Sequence, residues 1–94
     1  MPAFILAEVD VTNPELYKQY AAQTPDSLKA FGGEFIIRAN PVQVLEGEWN
    51  HDRLVLIRFE NAQMAQDWYN SPFYQEIRGI RIQASKGKIL LIET

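Results

Sequence analysis

A chain of 94 residues, 47% hydrophobic and 12% aromatic, has the composition of one folded domain and excludes an intrinsically disordered segment. Nine Lys and Arg against twelve Asp and Glu give a net charge of −3 with no basic stripe, which argues against a protein that works by neutralising phosphates. The absence of cysteine removes disulfides, a thiolate nucleophile and a cysteine–zinc site.

The opening Met1-Pro2-Ala3-Phe4-Ile5-Leu6-Ala7 has no basic flank, and its apolar run ends at Glu8. Neither a signal peptide nor a membrane span is expected, and the expected location is cytoplasmic. Ala3 to Val9 reads as the first strand. Thr12-Asn13-Pro14-Glu15 then supplies a cap, an early helical proline and an acidic first turn. Tyr17, Tyr20, Ala21, Thr24 and Leu28 follow at the spacing of a helix with one buried face. Pro25 is expected to kink or restart this helix, with Thr24 as a fresh cap, and Gly32-Gly33 to stop it through a left-handed glycine.

Glu34 to Ala39 reads as the second strand and Val42 to Leu45 as a short edge piece. An exposed turn from Glu46 to Asp52 leads into a third strand, Arg53 to Phe59. Asn61 caps a second helix carrying Ala62, Ala65, Trp68 and Tyr69, which Ser71-Pro72 restarts and Phe73, Ile77 and Ile80 continue. Ile89 to Ile92 is the last strand. Residues 1–94 are thus expected to form one α+β domain with the ferredoxin-like order βαββαβ and a four-stranded antiparallel sheet. Within it, the first and third strands are expected to lie side by side and parallel, with Glu8 and Arg58 paired at one end.

Two helices cover only one face of such a sheet, yet the strands are apolar on both parities. Ile5/Ala7/Val9, Phe35/Ile37/Ala39 and Val55/Ile57/Phe59 suit the helix side. Phe4/Leu6/Glu8, Ile36/Arg38 and Leu54/Leu56/Arg58 make a second apolar face with charged ends. A second copy's sheet would cover that face, so a homodimer closing into an α/β barrel is expected.

Phe31-Gly32-Gly33, Ile37-Arg38, Leu45-Glu46-Gly47, Trp49, Phe59 and Trp68-Tyr69-x-Ser71-x-x-Tyr74 stand in the order and spacing of one family. Tyr17-x-x-Tyr20 and Arg81-x-x-Ala84-Ser85 extend the match over nearly the whole chain. The sequence resembles the domain of unknown function 1330 family, placed in the dimeric α/β-barrel superfamily. It departs from the family pattern at Phe31, Glu34, Ala39-Asn40, Arg58 and Phe73. The resemblance implies the fold and the dimer and brings no assigned reaction.

Arg38 ends an apolar strand with no partner evident in the sequence. It either forks onto a carboxylate or phosphate ligand or pairs internally with Glu46 or Asp52, which the rarity of unpaired buried arginine favours. Glu46 is correspondingly a general base or the partner that anchors the turn. Trp68, Ser71 and Tyr74 straddle the helix break and offer a ring wall with hydroxyls, against the plainer reading of a Ser71 cap and packed rings. Tyr17 and Tyr20 read as core-facing rings whose hydroxyls reach a wet cleft. His51, the one histidine, is a proton shuttle, a haem ligand by analogy with superfamily relatives, or a solvated turn residue, and its polar neighbours favour the last. The cations Arg78, Arg81, Lys86 and Lys88 read as a solvated helix face and strand edge. No cofactor or metal is expected, nor a nucleic-acid or membrane partner: the third strand lacks the stacking aromatics of an RNA-recognition domain.

The leading expectation is a cofactor-independent enzyme acting on a small anionic or aromatic compound, by proton transfer or oxygenation, in a cleft between the sheet and the second helix. Arg38, Glu46 and Tyr74 would be catalytic, and Tyr17, Tyr20, Trp68 and Ser71 would bind the ligand. The competing expectation is a non-catalytic small-ligand-binding or interaction dimer.

Overall fold

A computed structural model describes residues 1–94 as four strands and three α-helices: β1 (Ala3–Val11), α1 (Pro14–Leu28), β2 (Glu34–Arg38), β3 (Arg53–Phe59), α2 (Ala62–Tyr69), α3 (Pro72–Ala84) and β4 (Ser85–Glu93). The sheet order is β2-β3-β1-β4, every neighbour antiparallel. Both outer strands of the sequence reading are longer than expected, and Val42 to Leu45 forms no strand. No helix is long and apolar enough to cross a membrane.

The expected parallel pairing of β1 and β3 is wrong. A crossover through α1 makes β2 parallel to β1, and the β2–β3 return then reverses β3. The antiparallel register puts Glu8 opposite Leu54 and Arg58 opposite Phe4, at opposite ends of the sheet. The Glu8–Arg58 pair therefore does not form. Lys88 stands opposite Glu8, and Glu34 opposite Arg58.

Burial alternates along β1, with Ala3, Ile5, Ala7 and Val9 covered and their neighbours half-exposed, so the helices lie on one side of the sheet. Asn13 caps α1 by accepting from the Leu16 amide, and Asn61 caps α2 by accepting from Met64. Tyr17, Tyr20, Thr24, Ser27 and Leu28 make the buried stripe of α1. Tyr74, Ile77, Arg81 and Ala84 make that of α3. The left-handed stop falls on Gly32, at φ 68°. Gly33 is needed for a different reason, because a Cβ there would lie 2.6 Å from Leu28 Cδ2 and 2.9 Å from the Phe59 ring.

Two local irregularities re-aim the end of β2. A β-bulge between Phe35 and Ile37 shifts the register, so Ile37 faces Leu56 and Arg38 faces Val55. Arg38 is thereby turned from the open face, where alternation would put it, to the helix side. The second irregularity is Pro25, which does not restart α1: the helix runs unbroken through it. A proline lacks the N–H that would bond to the carbonyl four residues back, here Ala21. Arg38 Nη2 donates to that carbonyl at 2.8 Å and replaces the missing bond. Thr24 is no cap, since its hydroxyl donates to the Tyr20 carbonyl at 2.8 Å.

Candidate functional site

Between α1, α3 and the covered face of the sheet lies a cavity of about 30 Å³. Its floor is Ile5, Ala7 and Val9 of β1 with Val55 and Ile57 of β3, and Trp68 closes one wall. Three arginines line it, one from each of β2, β3 and α3: Arg38, Arg53 and Arg81. Arg38 stands exposed at the mouth, its guanidinium 4.5 Å from the centroid of the Phe35 ring. Arg53 lies 4.9 Å from the centroid of Tyr17. Arg81 is the deepest, with 8% of its surface exposed.

None of the three forms an ion pair. The Nε atoms of Arg53 and Arg81 are buried with no hydrogen-bond partner. A buried N–H left unpaired costs about 1–3 kcal/mol, so two such donors at one cavity mark a place where an acceptor belongs. The internal pairing of Arg38 with Glu46 or Asp52 does not occur. Glu46 lies in the exposed stretch between β2 and β3 and does not line the cavity. Asp52 instead accepts from the Val11 amide at 2.9 Å.

Tyr17 and Tyr20 enter the cavity from α1. Burial raises the Tyr17 hydroxyl pKa, although Arg53 and Arg81 pull it down. Burial raises that of Tyr20 further, with the adjacent Tyr74 adding to the shift. Both hydroxyls are therefore neutral at physiological pH and serve as hydrogen-bond donors, not bases.

Tyr74 sits one hydrogen bond behind the cavity. Its hydroxyl meets that of Tyr20 at 2.9 Å, and its ring packs on Trp68 with centroids 4.2 Å apart. Trp68 Nε1 donates to Ser27 Oγ at 3.0 Å, which fixes the indole plane. Ser71 is committed to the backbone: its Oγ donates to the Trp68 carbonyl at 2.7 Å and accepts from the Tyr74 amide at 3.2 Å. Of the residues singled out in the sequence, Arg38, Tyr17, Tyr20 and Trp68 come together, Tyr74 backs them, and Ser71 and Glu46 stand outside.

Arg53 and Arg81 were missed. Both had a signal: Arg53 shares the parity of Val55, Ile57 and Phe59, and Arg81 lies on the apolar stripe with Tyr74 and Ile77.

His51 is not a free turn residue. It bridges two carboxylates of β1, with Nε2 at 3.4 Å from Glu8 and Nδ1 at 3.2 Å from Asp10. Trp49 packs edge-on against its ring at 4.9 Å. These contacts pin the base of the β2–β3 connection to β1, away from the arginine cavity.

A family model described as a domain of unknown function (DUF1330) matches residues 2–94. No curated protein matches the sequence. Among solved structures, a dimeric ferredoxin-like protein of unknown function from a Jannaschia species is similar with a TM-score of 0.76 at 8% identity, each chain covered in full. A protein of unknown function from Rhodopseudomonas palustris gives 0.75 at 17% identity, over 99% of this chain and 82% of that one. SnoaB, a cofactor-independent oxygenase from Streptomyces nogalater, gives 0.68 at 12% identity, over 99% and 92%. At such identities the likeness is one of fold.

Proposed function

The chain belongs to the DUF1330 family, and from the chemistry of its cavity we propose that it binds a small organic acid, carboxylate towards the arginines. The observation that carries this reading is the pair of buried, unpartnered Nε atoms on Arg53 and Arg81, beside a third arginine and no carboxylate. A carboxylate accepts from several N–H groups at once, and charge-assisted bonds of this kind contribute about 1.5–3 kcal/mol each. The neutral Tyr17 hydroxyl makes no hydrogen bond of its own and is a further donor. Small aromatic carboxylates are expected to raise the melting temperature of the wild type, and Arg81→Met to abolish the rise. A rise that persists in Arg81→Met would refute the reading.

Turnover of the bound acid is a second reading, favoured by the Tyr20–Tyr74 hydroxyl pair behind the cavity. Neutral donors and three cations would stabilise the enolate or phenolate of an acidic enol or phenol whose proton passes to solvent water as it binds. SnoaB, which shares the fold, is a cofactor-independent oxygenase, and the likeness is one of structure. Roles for Tyr74 as proton carrier and Arg38 as orienting cation belong to this reading. Glu46 would need the β2–β3 connection to close over the cavity. Oxygen uptake with candidate acids, set against ligand-induced stabilisation alone, separates the two readings.

We also infer a homodimer through the uncovered face of the sheet. Ile36, Leu90 and Ile92 are 51%, 46% and 42% exposed there, beside the half-buried Phe4, Leu6 and Leu56. Two solved structures of this fold are described as dimeric. Leu56→Asp is expected to give a monomer or an unfolded chain in sedimentation, because it would bury an unpaired charge. A wild type that sediments as a monomer at micromolar concentration would overturn the inference.

A further inference from the structure

The arginine cavity is too small for a whole organic molecule. Its volume of about 30 Å³ suits a carboxylate or a water, whereas ligand sites commonly enclose roughly 300–1,000 Å³. The remainder of any acid held there must lie beyond its walls.

A second cavity, of about 170 Å³, adjoins the first on the same side of the sheet. Ile5 of β1 and Ile89 of β4 line both, so these two side chains form the partition. Beyond them the chemistry changes. Leu91 of the edge strand β4 faces Ala65, Gln66, Tyr69 and Asn70 at the end of α2, and no charged side chain lines the space. The Tyr69 hydroxyl accepts from Arg78 Nε at 2.9 Å, and Tyr69 is among the residues that line the space. Gln66 and Asn70 are exposed and bring amides to the rim. One space thus concentrates positive charge and the next is neutral and mostly apolar.

We infer that the ligand is an amphipathic acid, its carboxylate among Arg38, Arg53 and Arg81 and its apolar or aromatic body beyond Ile5 and Ile89 in the cavity between α2 and β4. The inference rests on the carboxylate site proposed above and adds the class of molecule that the site selects. The arginines recognise the acid. The second cavity measures its body, and the two isoleucine side chains must swing aside for a ligand to occupy both. A short acid fills only the first space, and an inorganic anion gains nothing from the second.

The test is a pair of NMR titrations with acetate and 3-phenylpropanoate, on the wild type and on Leu91→Trp. Leu91 is 37% exposed, so a larger ring there fills the second cavity from the sheet edge without entering the core. Should that variant not fold, Gln66→Trp blocks the same space from the exposed side of α2. In the wild type, both acids should shift the Arg53 and Arg81 Nε–H resonances. Only 3-phenylpropanoate should shift the Ile89 and Leu91 methyls, and it should bind about tenfold tighter or more, from the added apolar burial. The blocked variant should bind both acids alike, with acetate affinity unchanged. If both acids bind the wild type equally, or the preference survives the block, the amphipathic class is wrong while the carboxylate site stands. If neither acid moves the arginine resonances, the carboxylate site fails and takes this inference with it.

Discussion

Arg81→Met should make the ligand-free protein more stable, and the sign of that change is the sharpest check on the site. Arg81 is 8% exposed, sits on the buried stripe of α3 and makes no side-chain hydrogen bond or ion pair. Its Nε alone carries a desolvation cost of about 1–3 kcal/mol that no protein acceptor offsets. Methionine has similar length, no N–H and enough flexibility to fill the space it inherits. The expected gain is about 1–2 kcal/mol, or roughly 4–16 °C in melting temperature for a domain of this size. Urea unfolding at matched protomer concentration measures it, since the proposed dimer would make stability depend on concentration. Arg38→Met should behave in the opposite way, losing about 0.5–1.5 kcal/mol, because Arg38 completes a hydrogen bond at an exposed helical carbonyl. A loss of about 1 kcal/mol or more in Arg81→Met (about fivefold in the unfolding constant) would refute the reasoning and assign Arg81 to structure.

Tyr17 and Tyr20 have pKa values raised above 10.0, chiefly by burial. Above pH 10 the unfolded chain therefore loses protons that the folded one keeps, so the stability these two groups contribute is fully present below pH 10 and is lost as pH rises beyond it. Tyr20→Phe should make that fall shallower, and tyrosinate absorbance against denaturant midpoint reads both effects; an unchanged slope would contradict the burial. At the turn before β2, Gly32→Ala should cost about 1 kcal/mol through its positive φ. Gly33→Ala should cost about 1–3 kcal/mol through overpacking against Leu28 and Phe59. Melting curves that match the wild type for both would remove the need for either glycine.

The element order, a first cap within Thr12-Asn13, the caps at Asn61 and Ser71, the two-faced sheet and the left-handed stop are legible because each rests on a local pattern. A period, a polar residue before a helix or a glycine pair is read within a few positions. The antiparallel pairing of β1 and β3 follows only when the chain is traced through the β2–β3 return, which no local strand pattern records. The position of Arg38 was not legible. The bulge at Ile36-Ile37 carries no glycine or proline to announce it, and alternation through it puts every later side chain on the wrong face. The cavity was read from its rings and from one arginine. Arg53 and Arg81 were passed over because charged residues are ordinarily solvated, although their positions on apolar stripes argued otherwise.

The hydrogen bond from Arg38 to the Ala21 carbonyl makes Pro25 and Arg38 an epistatic pair. While proline stands at 25, the carbonyl has no partner within its own helix, and the arginine is recruited to serve it. Any residue with a backbone N–H at 25 would reclaim the carbonyl for α1 and free the guanidinium, already at the cavity mouth, from that bond. Sequence drift at position 25, on the helix and outside the cavity lining, would then alter ligand affinity without touching a lining residue. The fitness of a substitution at 38 would likewise depend on which residue the chain carries at 25, so single-site scans of either position would misjudge both.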